Sequence, residues 1–188
     1  PIRARARGKS VKAIAVQFQK SPICLLTKAD KGITEPKHLT GKKVGIPIPE
    51  EALIAKIVLE NQGLKFKDII PVPVRWDIQP LIDDKIDVFI AFMNDQPMLL
   101  EESGYKADYI PAFKYGYDFY SGVLFTTDAM IKNRPGLIGK FLEVTLRGWK
   151  QAFKNPEETA RIVVKNYYPD GSVRQQTESL NIFKYLAT

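Results

Sequence analysis

The stretch that decides the fold is residues 43–92, with the sequence KVGIPIPEEALIAKIVLENQGLKFKDIIPVPVRWDIQPLIDDKIDVFIAF. Three apolar runs within it are predicted to be buried strands, at residues 43–47, 69–74 and 86–92. Helices are predicted between them. Pro49 with two following carboxylates favours a helix start, Gly63 favours its end, and Asp77 can cap a second, short helix. This alternation is typical of an α/β fold with a parallel sheet, right-handed crossovers and helices on both faces.

Other elements lie outside this stretch. Four more strands are predicted, at residues 12–18, 23–27, 107–112 and 122–126. Asn94 or Asp95 is predicted to cap the helix that follows the third strand and ends at Gly104. Everything after Asp128 is predicted to be helical. In the helix that begins at Pro135, apolar residues recur every three to four positions and form one core-facing stripe.

The composition is that of a globular protein. The chain has 188 residues, 45% of them apolar and 26% charged, which suits one large domain or two small lobes. The net charge is +7, but the lysines are spread along the chain, and the dense basic cluster at residues 3–12 has no interleaved aromatic side chains. We therefore expect no nucleic-acid partner. No apolar run approaches the ~18 residues of a membrane span, and a start at Pro1 is typical of a processed chain or a fragment.

The residues that most enzymes use are scarce. The chain has one cysteine, Cys24, inside a predicted strand, and one histidine, His38, in a predicted loop. It contains no paired nucleophile and base, no metal-ligand spacing and no phosphate-binding loop of the Walker type. We therefore expect no enzymatic activity, no metal and no cofactor.

Candidate ligand-binding residues follow the ends of the predicted strands, where open α/β sheets bind ligands. A site for a heteroaromatic ring needs flat side chains and a few well-placed polar groups, and the first turn of a helix adds unpaired backbone N–H groups. The candidates are Gln17, Gln19, Ser21, Pro49, Glu50, Trp76, Asp77, Asn94, Asp95, Tyr115, Tyr117, Asp118 and Tyr120.

Most candidates also have a purely structural explanation. Trp76 can simply cover the surface of the domain, and Asp77 and Asp95 can act only as helix caps. At least one of the three tyrosines is expected in the core. Glu50 and Glu51 are better explained as carboxylates that stabilise the first turn of a helix than as ligand contacts.

Five motifs, in this order, resemble one family. They are GKKVGI at residues 41–46, VPVRWDIQPLIDDKIDVFIAF at 72–92, NDQP at 94–97, YGYDFYSGVLFTTD at 115–128 and PGLIGKFLEVTLRGWKQAFKNPEE at 135–158. Over almost its whole length the chain resembles the thiamine-precursor-binding (pyrimidine and sulfonate) family of periplasmic solute-binding proteins of ABC transporters. The resemblance implies a type II periplasmic-binding-protein fold, in which two α/β lobes joined by a hinge close on a ligand between them.

The resemblance also implies a domain organisation with an incomplete second lobe. Residues 1–40 are expected to form part of lobe 1 and the hinge, 41–112 a complete α/β lobe 2, 113–128 a hinge and return strand, and 129–188 helices that return to lobe 1. In the family, roughly ninety residues of lobe 1 precede this stretch. The apolar helix faces that carry Phe141, Leu142 and Trp149 should then be exposed or covered by another chain, so self-association is expected.

The function implied by the resemblance is periplasmic or other extracytoplasmic binding of a small molecule for uptake through an ABC-transporter permease. The expected ligand is a thiamine-precursor pyrimidine or a similar heteroaromatic, held against Trp76 or the tyrosines, with Asp118 or Asp77 accepting hydrogen bonds from ring amino groups. Three alternatives stay open. They are a ligand-sensing domain with signalling domains in the same polypeptide (a membrane histidine kinase or diguanylate cyclase), a sulfonate- or nitrate-type binding protein, and the effector domain of a transcription regulator.

Overall fold

The computed structural model describes all residues from Pro1 to Thr188 and contains seven strands and eight α-helices. The strands are β1 (Val11–Phe18), β2 (Ile23–Lys28), β3 (Lys43–Ile46), β4 (Ile70–Pro73), β5 (Val88–Phe92), β6 (Ala107–Pro111) and β7 (Ser121–Thr127). The helices are α1 (Ile2–Ala6), α2 (Ala52–Glu60), α3 (Gln79–Ile82), α4 (Gln96–Glu102), α5 (Asp128–Asn133), α6 (Pro135–Lys154), α7 (Pro156–Asn166) and α8 (Val173–Ala187). None of the helices, including the 20-residue α6, combines the length and the apolar character needed to cross a membrane.

The chain divides into two compact units. Lys20–Phe119 forms what we call the sheet unit, and Pro1–Gln19 together with Tyr120–Thr188 forms the helical unit. The predicted boundary at residue 41 differs from the observed one at Lys20 because β2 belongs to the sheet unit. How these units correspond to the lobes of a larger protein stays a prediction.

The sheet unit is built on a five-stranded sheet with the order β4-β3-β5-β2-β6. β3 pairs in parallel with both β4 and β5, which confirms the parallel arrangement predicted for these three strands. β2 lies between β5 and β6 and is antiparallel to both. The sequence pattern does not predict this insertion, because it depends on a pairing between segments more than sixty residues apart.

Both faces of this sheet are covered. On one face α2 contributes Val58 to the buried cluster that also contains Val88 of β5. Side chains alternate along a strand, so Phe89 faces the other side, and it is also fully buried. Helices α3 and α4 contribute the fully buried Leu81 and Leu100. This two-sided core fixes the strand ends and therefore the loops that follow them.

Gly45 of β3 allows the side chains around it to pack closely. A Cβ atom at this position would lie 2.5 Å from Ile86 Cδ1, 3.3 Å from Val74 Cγ2 and 3.4 Å from Phe89 Cδ2. The first of these distances is shorter than atoms tolerate in a packed core, so a side chain here would force its neighbours to move.

We expect Gly45→Ala to lower the free energy of unfolding by about 1–3 kcal/mol, because overpacking of a filled core costs this much. Thermal or urea unfolding measures the change. The matched control is Gly139→Ala on α6, where no atom lies within 4 Å of the added Cβ. Helix propensity predicts that the control gains up to about 1 kcal/mol. Equal stability of Gly45→Ala and the wild type would contradict this packing.

The helical unit contains the antiparallel pair β1–β7 and helices α1 and α5–α8. Thr127 caps α5 by accepting a hydrogen bond from the Met130 backbone N–H at 3.1 Å. The Asp128 carboxylate forms ion pairs with the Arg5 guanidinium at 3.0 Å and with the Lys12 ammonium at 3.6 Å. The hydrogen bond from Arg5 is the main reason why the pKa of Asp128 is lowered. These surface contacts tie one end of the two-stranded sheet, where Val11 pairs with Thr127, to α1 and α5.

Apolar side chains of α6 remain in contact with solvent, but of the three residues named in the prediction only Phe141 is exposed, and Leu142 and Trp149 are half-buried. Phe141 is 54% exposed and Leu146 57% exposed. Trp149 is half-buried, because its ring packs against Phe153 and Phe183 at centroid distances of 5.2 and 6.0 Å. Beside them lies a cavity of about 310 Å³. It is lined by Ala15, Val16, Gln17, Gln19, Leu124, Leu142, Thr145, Leu146, Trp149, Lys150, Phe153 and Ala187.

We expect the 188-residue chain to self-associate through this apolar face, since apolar area left in water costs about 25 cal/mol per Å². Sedimentation velocity over a range of concentrations should show a rising average mass. The double variant Phe141→Lys/Leu146→Lys should sediment as a monomer. A wild-type chain that stays monomeric at every concentration would contradict the expectation.

Candidate functional site

Five strand ends of the sheet unit meet at one edge. β3, β4, β5 and β6 all point in one direction and β2 in the other, so four carboxyl ends lie beside the amino end of β2. The register shows this directly, with Ile23 opposite Phe92 and Cys24 opposite Pro111. We call the loops at these ends the carboxyl edge. They contain ten of the predicted site residues: Ser21, Pro49, Glu50, Trp76, Asp77, Asn94, Asp95, Tyr115, Tyr117 and Asp118.

Trp76 forms an aromatic platform at this edge. Its ring stacks on Phe92 with a centroid distance of 5.2 Å and an interplanar angle of 18°. It also meets Phe89 edge-on at 6.2 Å. The side chain is nevertheless 43% exposed. Trp76 is therefore held in place by the half-buried Phe92 and the buried Phe89 of β5, while a large part of its surface remains available for a planar ligand.

The turn between β5 and α4 is held by a residue that the sequence analysis missed. Buried Gln96 accepts a hydrogen bond from the Phe92 backbone N–H at 2.7 Å and donates to Asp95 Oδ2 at 2.7 Å. Asp95 does occupy the N-cap position, but its side chain accepts no capping hydrogen bond, so the interpretation of Asp95 as a cap only is wrong. Burial raises the pKa of the Asp95 carboxyl.

Asp77 has a local structural role, as the sequence analysis allowed. Its Oδ1 accepts a hydrogen bond from the Gln79 backbone N–H at 2.9 Å, which fixes the entry to α3. Ser21 has a similar role, because its buried hydroxyl accepts a hydrogen bond from the Ile23 backbone N–H at 3.3 Å. Both residues shape the edge whether or not they also contact a ligand.

The aromatic loop after β6 has an inner and an outer part. Tyr115 and Tyr117 are both partly buried and pack against the core, which agrees with the expectation of at least one tyrosine there. Gly116 has φ +97°, a conformation that favours glycine. It leads to Tyr117, which is half-buried and lies 4.9 Å from the Phe119 ring centre. Asp118 between them is exposed.

Three of the predicted site residues belong to the helical unit. Gln17 on β1 packs against Gly122, and Gln19 donates its backbone N–H to the Leu186 carbonyl at 2.9 Å. Both line the cavity beside α6. Tyr120 is 65% exposed. These three residues are described with the helical unit, and their contribution to a common ligand site stays a prediction.

Glu51 is the functional candidate that the sequence analysis set aside. Only 5% of it is exposed, and Oε2 has no hydrogen-bond partner. Burial raises the pKa of this carboxyl from 4.5 to about 7, while a hydrogen bond with the Ile48 backbone acts in the opposite direction. The pKa of Tyr117 is raised by burial and, in addition, by the nearby charge of Glu51. The sequence signal was its position, the third residue of a helix start, from which a side chain can reach back to the N-cap.

The carboxyl edge thus combines a flat aromatic surface with several carboxyl groups, of which Glu51 is buried and Asp95 is half-buried. Such a surface can hold a planar ring by stacking and accept hydrogen bonds from N–H groups on its rim. No group of three or more histidine, cysteine, aspartate or glutamate side chains with metal-binding geometry occurs in the chain.

Comparison with protein-family models gives a match over residues 2–159 to the family described as NMT1/THI5 like. The chain belongs to the NMT1/THI5-like family. The family match covers most of the chain and confirms the resemblance carried by the motifs between residues 41 and 158.

Two curated relatives of this NMT1/THI5-like chain are named as binding proteins. The riboflavin-binding protein RibY of Chloroflexus aurantiacus is 24% identical over 158 residues, which are 82% of this chain and 45% of the relative. The formylaminopyrimidine-binding protein of Halalkalibacterium halodurans is 23% identical over 167 residues, 86% of this chain and 51% of the relative. The chain therefore spans about half the length of the curated relatives that it matches.

Solved structures share the fold. The periplasmic aliphatic sulphonate binding protein SsuA of Escherichia coli matches with a TM-score of 0.79 at 15% identity, over 96% of this chain and 58% of that protein. The desulfurization enzyme DszB matches with a TM-score of 0.58 at 12% identity, over 95% of this chain and 70% of that protein. The periplasmic-binding-protein fold expected from the resemblance is confirmed. Because a binding protein and an enzyme share it, the fold alone does not determine function.

We expect Glu51→Gln to stabilise the protein at alkaline pH. The folded-state pKa lies above the ordinary value of 4.5, so the wild type loses stability as pH rises from about 5 to about 8, and the variant does not. At pH 8 the gain should be roughly 1–3 kcal/mol, and near pH 5 it should vanish. Melting temperatures measure it, with Glu60→Gln on the exposed side of α2 as the control. A gain that does not change with pH would refute the assignment.

Proposed function

We propose that the chain is the ligand-binding part of an extracytoplasmic receptor, which captures a small heteroaromatic molecule at the carboxyl edge for uptake through an ABC-transporter permease. The observation that carries this proposal is the stacked, partly exposed Trp76 on an edge where four carboxyl ends of strands converge. Open α/β sheets bind ligands at such ends.

The charges at the carboxyl edge favour a ligand that donates hydrogen bonds. Carboxyl groups follow three of the converging strands and the aromatic loop, at Glu50, Glu51, Asp77, Asp95 and Asp118. The basic side chains next to the candidates in sequence are Arg75, Lys20 and Lys114, and the Lys20 ammonium lies 6.0 Å from the Phe113 ring centre. An anionic sulfonate would be repelled by the carboxylates, whereas amino and imide N–H groups of a ring complement them.

The names of the curated relatives support the same class of ligand. Riboflavin and formylaminopyrimidine both contain a flat nitrogen heterocycle with N–H groups on its rim. The likeness to the sulphonate-binding protein rests on fold alone, at 15% identity. We therefore place a pyrimidine or a related heteroaromatic ring on Trp76, with Asp118 as a carboxylate that reaches it from the exposed loop.

The side chains available support binding without chemistry. Cys24 is fully buried in β2, and burial raises the pKa of its thiol far above the ordinary value, so it is not a nucleophile. His38 lies away from the carboxyl edge, in the turn before β3, where its Nδ1 accepts a long hydrogen bond from the Thr34 backbone N–H. The carboxyl edge therefore contains neither a cysteine available as nucleophile nor a histidine.

We expect Asp118→Asn to weaken binding of formylaminopyrimidine about tenfold, because a hydrogen bond to a charged acceptor contributes roughly 1.5–3 kcal/mol. Trp76→Ala should weaken it at least as much, since the stacking surface is lost. Isothermal titration calorimetry on the full-length protein measures both, with exposed Asp170→Asn as the control. Tight binding of an alkanesulfonate, no response to the pyrimidine or riboflavin, and no effect of Asp118→Asn would overturn the proposed ligand class.

The same titration followed by fluorescence locates the ring. Trp76 and Trp149 are the two tryptophans, and only Trp76 lies at the carboxyl edge. Quenching by the ligand should disappear in Trp76→Phe and persist in Trp149→Phe. Quenching that depends on Trp149 instead would move the site away from the carboxyl edge.

A further inference from the structure

Glu51 is a buried acidic side chain whose environment lacks a partner for one of its two oxygens. It is the third residue of a short 3₁₀ helix, Pro49–Glu51, that leads into α2 at the carboxyl edge, is 5% exposed, and leaves Oε2 without a hydrogen bond. Buried polar atoms almost always form hydrogen bonds, because without one the free-energy penalty of removing the atom from water is not offset. An unpaired, buried carboxyl oxygen on the side chain that interacts with Tyr117 therefore calls for an explanation.

Helix capping accounts for only half of this side chain. The hydrogen bond between Glu51 and the Ile48 backbone is the one expected of a glutamate at the third position of a helix. That bond needs a single acceptor oxygen, which glutamine would supply equally well. Capping therefore gives no reason for a second, ionisable oxygen to be buried at this position.

No charged group stabilises the ionised form of Glu51. Burial and the Ile48 backbone are the two influences on its pKa, and no lysine, arginine or carboxylate contributes. The titratable group that faces it is Tyr117, from the loop after β6, whose pKa is raised by burial and by the Glu51 charge. An ionised Glu51 is therefore a strong acceptor that the protein itself does not satisfy.

We propose that Glu51 is a specificity-determining residue of the site, whose ionised carboxylate accepts a hydrogen bond from a ring N–H or amino group of the ligand, so that binding releases a proton to solvent. This deepens the proposed function and rests on it. Oε2 is shielded from water, so the ligand must displace part of its cover, and we assign that movement to the half-buried Tyr117. The ligand class narrows to heteroaromatics with an N–H donor on the ring edge, such as aminopyrimidines and flavins.

The proposal predicts a defined dependence of affinity on pH. The carboxyl titrates near pH 7 in the free protein, and the apparent affinity falls with the fraction of protein in the binding-competent, ionised form. The dissociation constant should therefore rise about tenfold between about pH 8 and about pH 6. Riboflavin is the decisive probe, because its ring system does not titrate in this range and the change must then come from the protein.

Calorimetry of riboflavin and formylaminopyrimidine binding to the full-length protein tests this. In two pH 7 buffers of different ionisation enthalpy, the wild type should release about half a proton per ligand bound. Glu51→Gln should bind about tenfold more weakly at pH 8, with a flat pH profile and no proton release. Glu60→Gln, an exposed glutamate of the same helix, should behave as the wild type, and melting curves verify that both variants are folded.

The outcomes separate the two proposals. Wild-type binding without proton release, or Glu51→Gln with wild-type affinity and an unchanged pH profile, overturns the role of Glu51 and leaves the heteroaromatic site intact. The first of these results needs no variant, so a misfolded Glu51→Gln does not prevent the test. Failure of the wild type to bind either probe at any pH refutes the proposed function, and the role of Glu51 falls with it. A loss of affinity in Glu51→Gln at pH 8, together with proton release by the wild type, supports both the proposed function and the role of Glu51.

Discussion

The insertion of β2 between β5 and β6 is the constraint on which the carboxyl edge depends. Because β2 is antiparallel to both neighbours, its amino end lies at the carboxyl ends of the other four strands. The pairing also connects the parallel trio β4-β3-β5 to β6, and so brings the aromatic loop to the same edge as Trp76. Without β2, the sheet would end at β5, and β6 with the aromatic loop would lose the strand that joins it to the parallel trio.

Low solvent access then gives the carboxyl groups at this edge different properties. Asp118 is exposed, and Asp77 already bonds the backbone of the next helix. Asp95 and Glu51 lie where burial raises their pKa values. Asp95 is bonded by Gln96, whereas Glu51 retains an unpaired oxygen. The carboxyl groups on one edge therefore have different roles, from a structural contact to a group without a partner. Their burial and their hydrogen bonds distinguish them more than their residue type does.

The parallel core of the sheet unit was predictable from sequence because its signals are local. Each of β3, β4 and β5 is an apolar run bounded by helix starts and glycines, and strand–helix–strand order fixes their mutual direction. The place of β2 was not predictable in the same way, because the local sequence of a strand does not indicate which strand sixty residues away it will pair with. For the same reason the predicted boundary at residue 41 fell inside the sheet unit.

The loops of the candidate site could be predicted from sequence, but the relative importance of the residues within them could not. Ten of thirteen candidates lie at the carboxyl edge because strand ends can be located from pattern. Gln17, Gln19 and Tyr120 lie in the helical unit because the boundaries between compact units depend on tertiary contacts. Glu51 was set aside because a carboxylate in a first helical turn is usually solvated. Its burial comes from the packing around it, which no local pattern reveals.

A second buried charge, at the opposite edge of the same sheet, shows what a structural ionic group looks like here. Lys28 ends β2 with 4% exposure, and its ammonium donates to the Ile82 carbonyl at 2.8 Å and to Asp84 Oδ2 at 3.0 Å, and lies 4.4 Å from the Tyr105 ring centre. Lys31 reaches the other oxygen of Asp84 at 2.8 Å, and the two lysines hold the pKa of that carboxyl below its usual range.

Asp84 even adopts φ +57°, rare for a residue other than glycine, while it makes these contacts. The fold thus accepts an unusual backbone conformation to satisfy a buried ammonium at the amino edge. At the carboxyl edge the same sheet leaves Glu51 Oε2 without any partner. The Lys28 ammonium is fully paired within the protein, whereas one oxygen of the Glu51 carboxyl is not. This difference favours a partner for Glu51 that comes from outside the chain. This contrast is the physical reason for treating Glu51 as part of a binding site rather than of the core.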